Sequence, residues 1–403
     1  MPNLHETQLL ALLSRALFGN ALSVEIGAED HAEILREACL HSVAPLALDG
    51  VPDPEAIPEE IRTKWRSYVF RAYRGNCRML AEHARLHERM TAADIPYCIL
   101  KGVASAAFYE KPDLRMMGDV DFLVAHADLA RTVDYFAENG YGKPAVCDHH
   151  YGYEKDGVKI ELHFEIPGRP AGEMRARLSR YTDSLLADAK LVTDSFGSYV
   201  LPSDFHHGLI LLLHMQEHIA TSGIGLRHLC DYAVFVNRYT DAEFRALFED
   251  ALSDLGLLFF AQIAARTAHR YLGLPFREWM GHGDPAIEDS LIEDILSAGN
   301  FGKKDASRLQ AGFLLSHARD GKRHGFIYRL FAGINTYLRG KYKLFRKAPI
   351  LLPLGWPLYF WRYFLLLLRG KRKLKLAKIA RGTREHESLY YSLRLFESES
   401  DKK

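Results

Sequence analysis

Asp119 and Asp121 sit one residue apart in the run Gly118-Asp119-Val120-Asp121-Phe122-Leu123-Val124. The run alternates polar and apolar, the pattern of a half-buried strand. Side chains two apart on a strand point the same way. Val120, Phe122 and Val124 then face a core, and the two carboxylates share the other face. Adjacent carboxylates repel each other unless a cation sits between them. Mg²⁺, or Mn²⁺ in its place, suits such a pair, because it takes oxygen ligands and keeps positions open for phosphate oxygens. A third carboxylate, Glu161, lies in an alternating run over 158–164. Val158, Ile160, Leu162 and Phe164 share one face there, and Lys159, Glu161 and His163 share the other. If the two strands are neighbours, Asp119, Asp121 and Glu161 converge and can hold two metals. One metal would lower the pKa of an attacking hydroxyl; the other would neutralise a triphosphate and its leaving pyrophosphate.

Phosphate contacts are expected from the residues between these carboxylates and the preceding apolar run Ile95-Pro96-Tyr97-Cys98-Ile99-Leu100. Lys101-Gly102 closes that run, and glycine lets backbone N–H groups approach a phosphate at a helix start. Arg115 can clamp a phosphate with its fork of donors. Ser105 and Gly118 complete the expected nucleotide-binding set. His214 and His218 are four apart and share a helix face. They lack the neighbouring glutamate of a zinc-protease helix, so helix packing is their ordinary reading. With His163 they are candidates for the wall of an acceptor pocket. Asp231 is expected to cap its helix or pair with Arg227.

The elements that must position these residues follow from the pattern. Residues 1–93 read as helical, with a long helix from Glu59 to Ala92 after the prolines at 52, 54 and 58. Residues 94–200 hold the strands. A helix is expected from Val103 to Tyr109, and another from a cap at Asp128 to Asn139, ended by Gly140. Asp156-Gly157 between two alternating runs predicts a β-hairpin. Residues 201–320 read as helices with no strand, over 205–219, 225–239 and 241–271. Residues 321–403 form a basic, apolar C-terminal segment.

The run Ile99-Leu100-Lys101-Gly102, Tyr109, and Leu114-Arg115-Met116-Met117-Gly118-Asp119-Val120-Asp121-Phe122-Leu123-Val124 resembles the signature of the bacterial nucleotidyltransferase family 5, in the polymerase-beta-like superfamily. His41-Ser42-Val43-Ala44-Pro45-Leu46, Arg71 and Asn76 are similar to its helical lead-in. Ile160-Glu161-Leu162-His163 resembles its third-carboxylate strand. His214, His218 and Leu226-Arg227-His228-Leu229-Cys230-Asp231 resemble its later helices. The resemblance covers roughly residues 35–270. It implies an α+β fold: a small mixed-sheet nucleotidyltransferase core flanked by N-terminal and C-terminal helical regions. It also implies Mg²⁺-dependent transfer of a nucleoside monophosphate from an NTP to an acceptor hydroxyl, with Asp119, Asp121 and Glu161 as metal ligands. The acceptor is unspecified: sugar, lipid-linked, peptide or protein. Many members of the wider superfamily follow the first strand with Gly-Ser; here Val103 follows Gly102, and Lys101 is the substitute.

Five scattered cysteines with no CxxC pair exclude a disulfide framework and a thiolate zinc site, and suit a reducing cytosol. The N-terminus lacks the basic and small-residue features of a signal peptide, so a cytoplasmic location is expected. The net charge of +1 hides a segregation. Residues 321–384 hold 17 Lys or Arg and no Asp or Glu, which leaves the remainder at −16. Residues 350–368 (ILLPLGWPLYFWRYFLLLL) are apolar, with basic flanks and Arg362 inside. The expectation is an in-plane segment on the anionic inner face of a membrane, with Trp356, Tyr359, Trp361 and Tyr363 at headgroup level. The rival expectations are packing of this segment on the acidic body and, less favoured, nucleic-acid binding. A non-catalytic nucleotide-binding scaffold at the membrane is the alternative to the enzyme.

Overall fold

The structure, a computed structural model, describes residues 1–147, 150–170, 172–304, 326–368 and 388–396. Helices α1 (Leu4–Phe18), α2 (His31–Leu40) and α3 (Ala44–Asp49) lead into α4 (Glu59–Ala92). Helix α4 is 34 residues long and spans about 51 Å at ~1.5 Å per residue. Its two ends serve different cores. Trp65 is fully buried among the helices and donates its indole N–H to the Ala44 carbonyl at 2.9 Å. Met79, Leu80, Leu86 and Met90 pack instead against the sheet.

The main sheet runs β1 (Tyr97–Ile99), β2 (Val120–Val124), β5 (Val158–His163), β4 (His150–Lys155), β3 (Ala145–Val146) in spatial order. β2 is antiparallel to β1 and parallel to β5; the β4–β5 hairpin and the β3 edge are antiparallel. The α+β mixed-sheet core expected from the sequence is therefore the fold. Asp156 (φ 53°) and Gly157 (φ 72°) make the hairpin turn with both residues left-handed, as the Asp-Gly pair predicts. Val120, Phe122, Val124, Ile160 and Leu162 face α4 and α6 (Leu129–Glu138). Cys98, Leu100 and Leu123 face the other way, into the larger helical core. That second face is covered by α8 (Asp204–Ala220) and α9 (Leu226–Val236), so the polar face of β2 is roofed by helices.

Several local expectations differ from the structure. The helix after Gly102 is a single turn, α5 (Val103–Ala106). Asp128 makes no side-chain cap; Thr132 instead donates its hydroxyl to the Asp128 carbonyl at 2.7 Å. An unforeseen hairpin, β6 (Lys190–Thr193) and β7 (Ser198–Leu201), follows α7 (Gly172–Thr182). All four β6 residues are exposed, so that strand has no apolar period to read. Tyr199 and Leu201 of β7 join the sheet-side core. The helix expected over 241–271 breaks at Gly256 (φ 61°), after a π-turn at Arg245–Glu249, and resumes as Leu258–Leu272. None of the five cysteines is in a disulfide.

In the C-terminal segment, the helices Phe326–Lys341, Lys343–Lys347 and Leu352–Leu368 form a small core of their own from Ile334, Leu338, Phe345 and Leu352. Trp356 and Tyr359 were expected among lipid headgroups. They pack inward: Trp356 donates to Asn335 Oδ1 at 2.9 Å and sits on Phe331, and Tyr359 meets Tyr337 edge-on. Among the described residues no helix is long and apolar enough to cross a membrane. The basic residues at 369–384 lie outside the described residues, as does the Tyr363 side chain.

Candidate active site

The parallel pairing of β2 with β5 sets Asp121 directly opposite Glu161. Neighbours across a sheet point to the same face, so both carboxylates rise toward α8 and α9. Asp119 lies one residue before the strand begins and is half-exposed, whereas Asp121 is 1% exposed. Carboxylate oxygens of Asp119, Asp121 and Glu161 all lie within 4.8 Å of one another. The three acidic groups therefore meet in space.

Two basic side chains stand among them. Lys101 Nζ is 3.2 Å from Asp121 Oδ1. His163, 1% exposed, puts Nε2 3.1 Å from Asp121 Oδ1 and 3.3 Å from Glu161 Oε2. Burial disfavours the Asp121 anion, but Lys101 and His163 outweigh it and hold this carboxyl far below the usual range. Asp119 shows the reverse: the charge of Asp121, then burial, push it up to about 6. Burial works against the charged Lys101 and His163, and the carboxylates reverse that, raising both.

The loop between α5 and β2 is fixed by Asn76, a buried residue of α4. Its Nδ2 donates to the carbonyls of Asp113 (2.8 Å) and Arg115 (3.0 Å), and its Oδ1 accepts from the Met117 amide (2.9 Å). Asn76 thus sets the approach to Gly118 and Asp119. Gly102 adopts φ 67°, ψ −110°. A Cβ there would meet nothing closer than 3.5 Å, so the backbone conformation, not space, requires glycine.

Arg115 borders the cavity between the sheet and its helical roof, with its guanidinium engaged. It is 5% exposed and grips Asp231 with two bonds, 3.1 and 2.7 Å, while the Tyr109 hydroxyl donates to Asp231 at 2.7 Å. Asp231 therefore pairs with Arg115 rather than with Arg227. Arg227 is the arginine that remains. It donates to the Met116 carbonyl at 2.9 Å, lies on Phe301, and leaves Nε without a partner. The buried hydroxyl of Ser105 has no partner either. Both line, with Lys101, Gly102, Asp119 and Asp121, a cavity of ≈ 40 Å³. That is room for an ion and its water, given about 30 Å³ per water.

His214 and His218 stand on the roof. His214 Nε2 is 3.4 Å from Lys101 Nζ and 2.9 Å from His218 Nε2, and His218 Nδ1 is 3.0 Å from the Ser222 hydroxyl. Burial first, then the charge of Lys101, holds His214 well below its usual pKa and therefore neutral. His163 is not part of this roof; it lies beneath the carboxylates on the sheet. Asn76 and Arg227 are the two residues to which sequence reasoning gave no site role. A buried amide on an apolar helix face was the available signal for Asn76; no local signal separates Arg227 from Arg115.

The mixed sheet thus brings three carboxylates together beside the Lys101-Gly102 turn. A family described as uncharacterised nucleotidyltransferase matches residues 27–273, and the chain belongs to it. Comparison with curated proteins and with solved structures gives no match.

Proposed function

We propose that the chain transfers a nucleoside monophosphate from an NTP to an acceptor hydroxyl, with Mg²⁺ or Mn²⁺ held by Asp119, Asp121 and Glu161. The observation that carries this is the approach of the three carboxylates within 4.8 Å. An ion bound there supplies charge neutralisation for the triphosphate and acidifies the acceptor hydroxyl. Ser105 Oγ, Arg227 Nε and the Gly102 backbone turn supply donors for phosphate oxygens on the same cavity. Lys101 lies beside Asp121 in reach of a phosphate oxygen. Arg115 supports the site by orienting Asp231 and Tyr109. His214 and His218, held above Lys101, face the side from which an acceptor would approach. The neutral state of His214 lets it accept a hydrogen bond from an acceptor hydroxyl, while burial and Lys101 oppose its taking the proton.

The test is incubation of the protein with each α-³²P NTP, Mg²⁺ and a cell extract, beside Asp119→Ala/Asp121→Ala. Label transfer by the native chain and none by the variant is expected. No transfer with any nucleotide, together with equal nucleotide affinity in both proteins, would favour a non-catalytic scaffold.

We further propose that the C-terminal segment holds the enzyme to an anionic membrane surface. Leu354 (73%), Leu358 (46%) and Trp361 (61%) are exposed along one side of Leu352–Leu368, and Ile350 is 87% exposed just before it. Spacings of four and three put the first three on one stripe. Exposed Arg339, Lys341, Arg346, Lys347 and Arg362 supply positive charge nearby. Flotation with vesicles containing anionic lipid is expected at low salt, and failure to float would remove this proposal.

A further inference from the structure

Two histidines and Glu161 form a second cluster beside the three carboxylates. His150 on β4 and His163 on β5 are cross-strand partners, with ring centroids 5.1 Å apart. Glu161, two residues before His163, points to the same face. His150 Nε2 lies 3.8 Å from Glu161 Oε1, and His163 Nε2 lies 3.3 Å from Glu161 Oε2. One ligand atom from each residue lies within 4.8 Å of the others. A tetrahedral metal with ligands at ~2.0–2.2 Å holds them roughly 3.4 Å apart, so side-chain adjustment alone closes this set. The residue facing Glu161 across the hairpin is Gly152, which leaves no side chain over the carboxylate.

The donors differ from those of the carboxylate triad. Asp119, Asp121 and Glu161 offer oxygen only, which suits Mg²⁺. Two imidazoles and one carboxylate suit a first-row transition ion such as Mn²⁺, Co²⁺ or Zn²⁺. We propose that His150, His163 and Glu161 form a second metal position for such an ion, with Glu161 bridging it to the triad. His163 Nε2 already contacts the two carboxylates that would flank that ion. The proposal shares Glu161 with the catalytic reading but not its reaction: absence of label transfer would sink that reading and leave the binding measurement below intact.

The experiment uses the full chain, stripped with chelator and titrated with Co²⁺ while visible absorption is recorded. Asp119→Asn, His150→Gln and His163→Gln are compared with the native chain, each checked for folding by circular dichroism. The native chain is expected to show the intense ligand-field bands of nitrogen-ligated Co²⁺ in low coordination. Asp119→Asn should keep these bands. His150→Gln should weaken Co²⁺ binding by about tenfold or more, as loss of a metal-holding group does. His163→Gln should act in the same direction and decides the matter if His150→Gln fails to fold. Unchanged Co²⁺ affinity in a folded histidine variant would overturn the proposal. So would bands lost in Asp119→Asn, since a single ion at the triad would then explain the binding.

Discussion

Asn76→Ala should loosen the proposed metal-binding carboxylates without touching them. The Asn76 side chain is 2% exposed and makes three bonds to the loop that carries Asp119. Its removal strands the carbonyls of Asp113 and Arg115 and the amide of Met117. Asp113 is exposed, so water recovers its carbonyl. Arg115 is buried and Met117 half-buried, and water reaches them poorly. A stranded buried group costs about 1–3 kcal/mol and the half-buried Met117 amide about 1 kcal/mol, so the expected loss of stability is about 2–4 kcal/mol. Urea denaturation followed by circular dichroism measures it. Met117 is two residues from Asp119, so the loop's freedom reaches this proposed metal ligand directly. A displacement on the order of 1 Å costs about 10²-fold in rate, and that drop is expected in label transfer under conditions where the variant is folded. Asn76→Asp keeps the acceptor for Met117 and loses both donors, so it should fall no less in stability. A stability loss below about 1 kcal/mol would refute the accounting of the bonds. Unchanged transfer by a folded Asn76→Ala would refute the positioning role.

The two arginines separate by the same logic. Arg115→Met leaves Asp231 buried and unpaired, which should cost about 3–5 kcal/mol in a denaturation curve; Arg227→Lys should leave the melting temperature nearly unchanged and raise KM for the NTP. A severe stability loss in Arg227→Lys with none in Arg115→Met would reverse the assignment. The Asp119 carboxyl, pushed up to about 6 by Asp121 and by burial, holds a proton in the folded chain that the unfolded chain has lost above its ordinary 3.8. Metal-free stability from this group therefore falls as pH rises from about 4 to about 6, and Mg²⁺ affinity rises over the same window by about tenfold per unit below pH 6. Thermal melts with and without Mg²⁺ at pH about 5 and about 7 check the sign, and a Mg²⁺-induced shift equal at both would refute it. Lys101→Met removes the ammonium that competes for Asp121 at 3.2 Å. Mg²⁺ should then bind more tightly by calorimetry while NTP binds more weakly; weaker binding of both would show that Lys101 only holds the fold.

How far the site was legible follows from the range of each signal. The alternation around Asp119 and Asp121, the Asp-Gly turn and the apolar period of α4 are local, and each element lies where its pattern puts it. The parallel pairing of β2 with β5 is not local. Nothing within either strand says that Asp121 faces Glu161 across the ladder, and the carboxylates meet only because that register holds. A slip of one residue would have turned Glu161 toward Phe122 and the apolar core. The arginines show the limit most clearly. Arg115 lies beside the aspartates in sequence, yet it spends both ends of its fork on Asp231 of a distant helix. Arg227 lies far away in sequence, yet it lines the same cavity as Arg115. Both arginines line the cavity, and the docking of α9 on the sheet decides that Arg115 is the one bonded to Asp231. That docking is driven by apolar residues, Leu226, Leu229, Ala233 and Val236 among them, and carries no mark of the polar outcome. The same docking roofs the carboxylates, excludes water from Asp121, and so strengthens every charge interaction there. The chemistry of the site is thus a consequence of where the apolar face of one helix comes to rest.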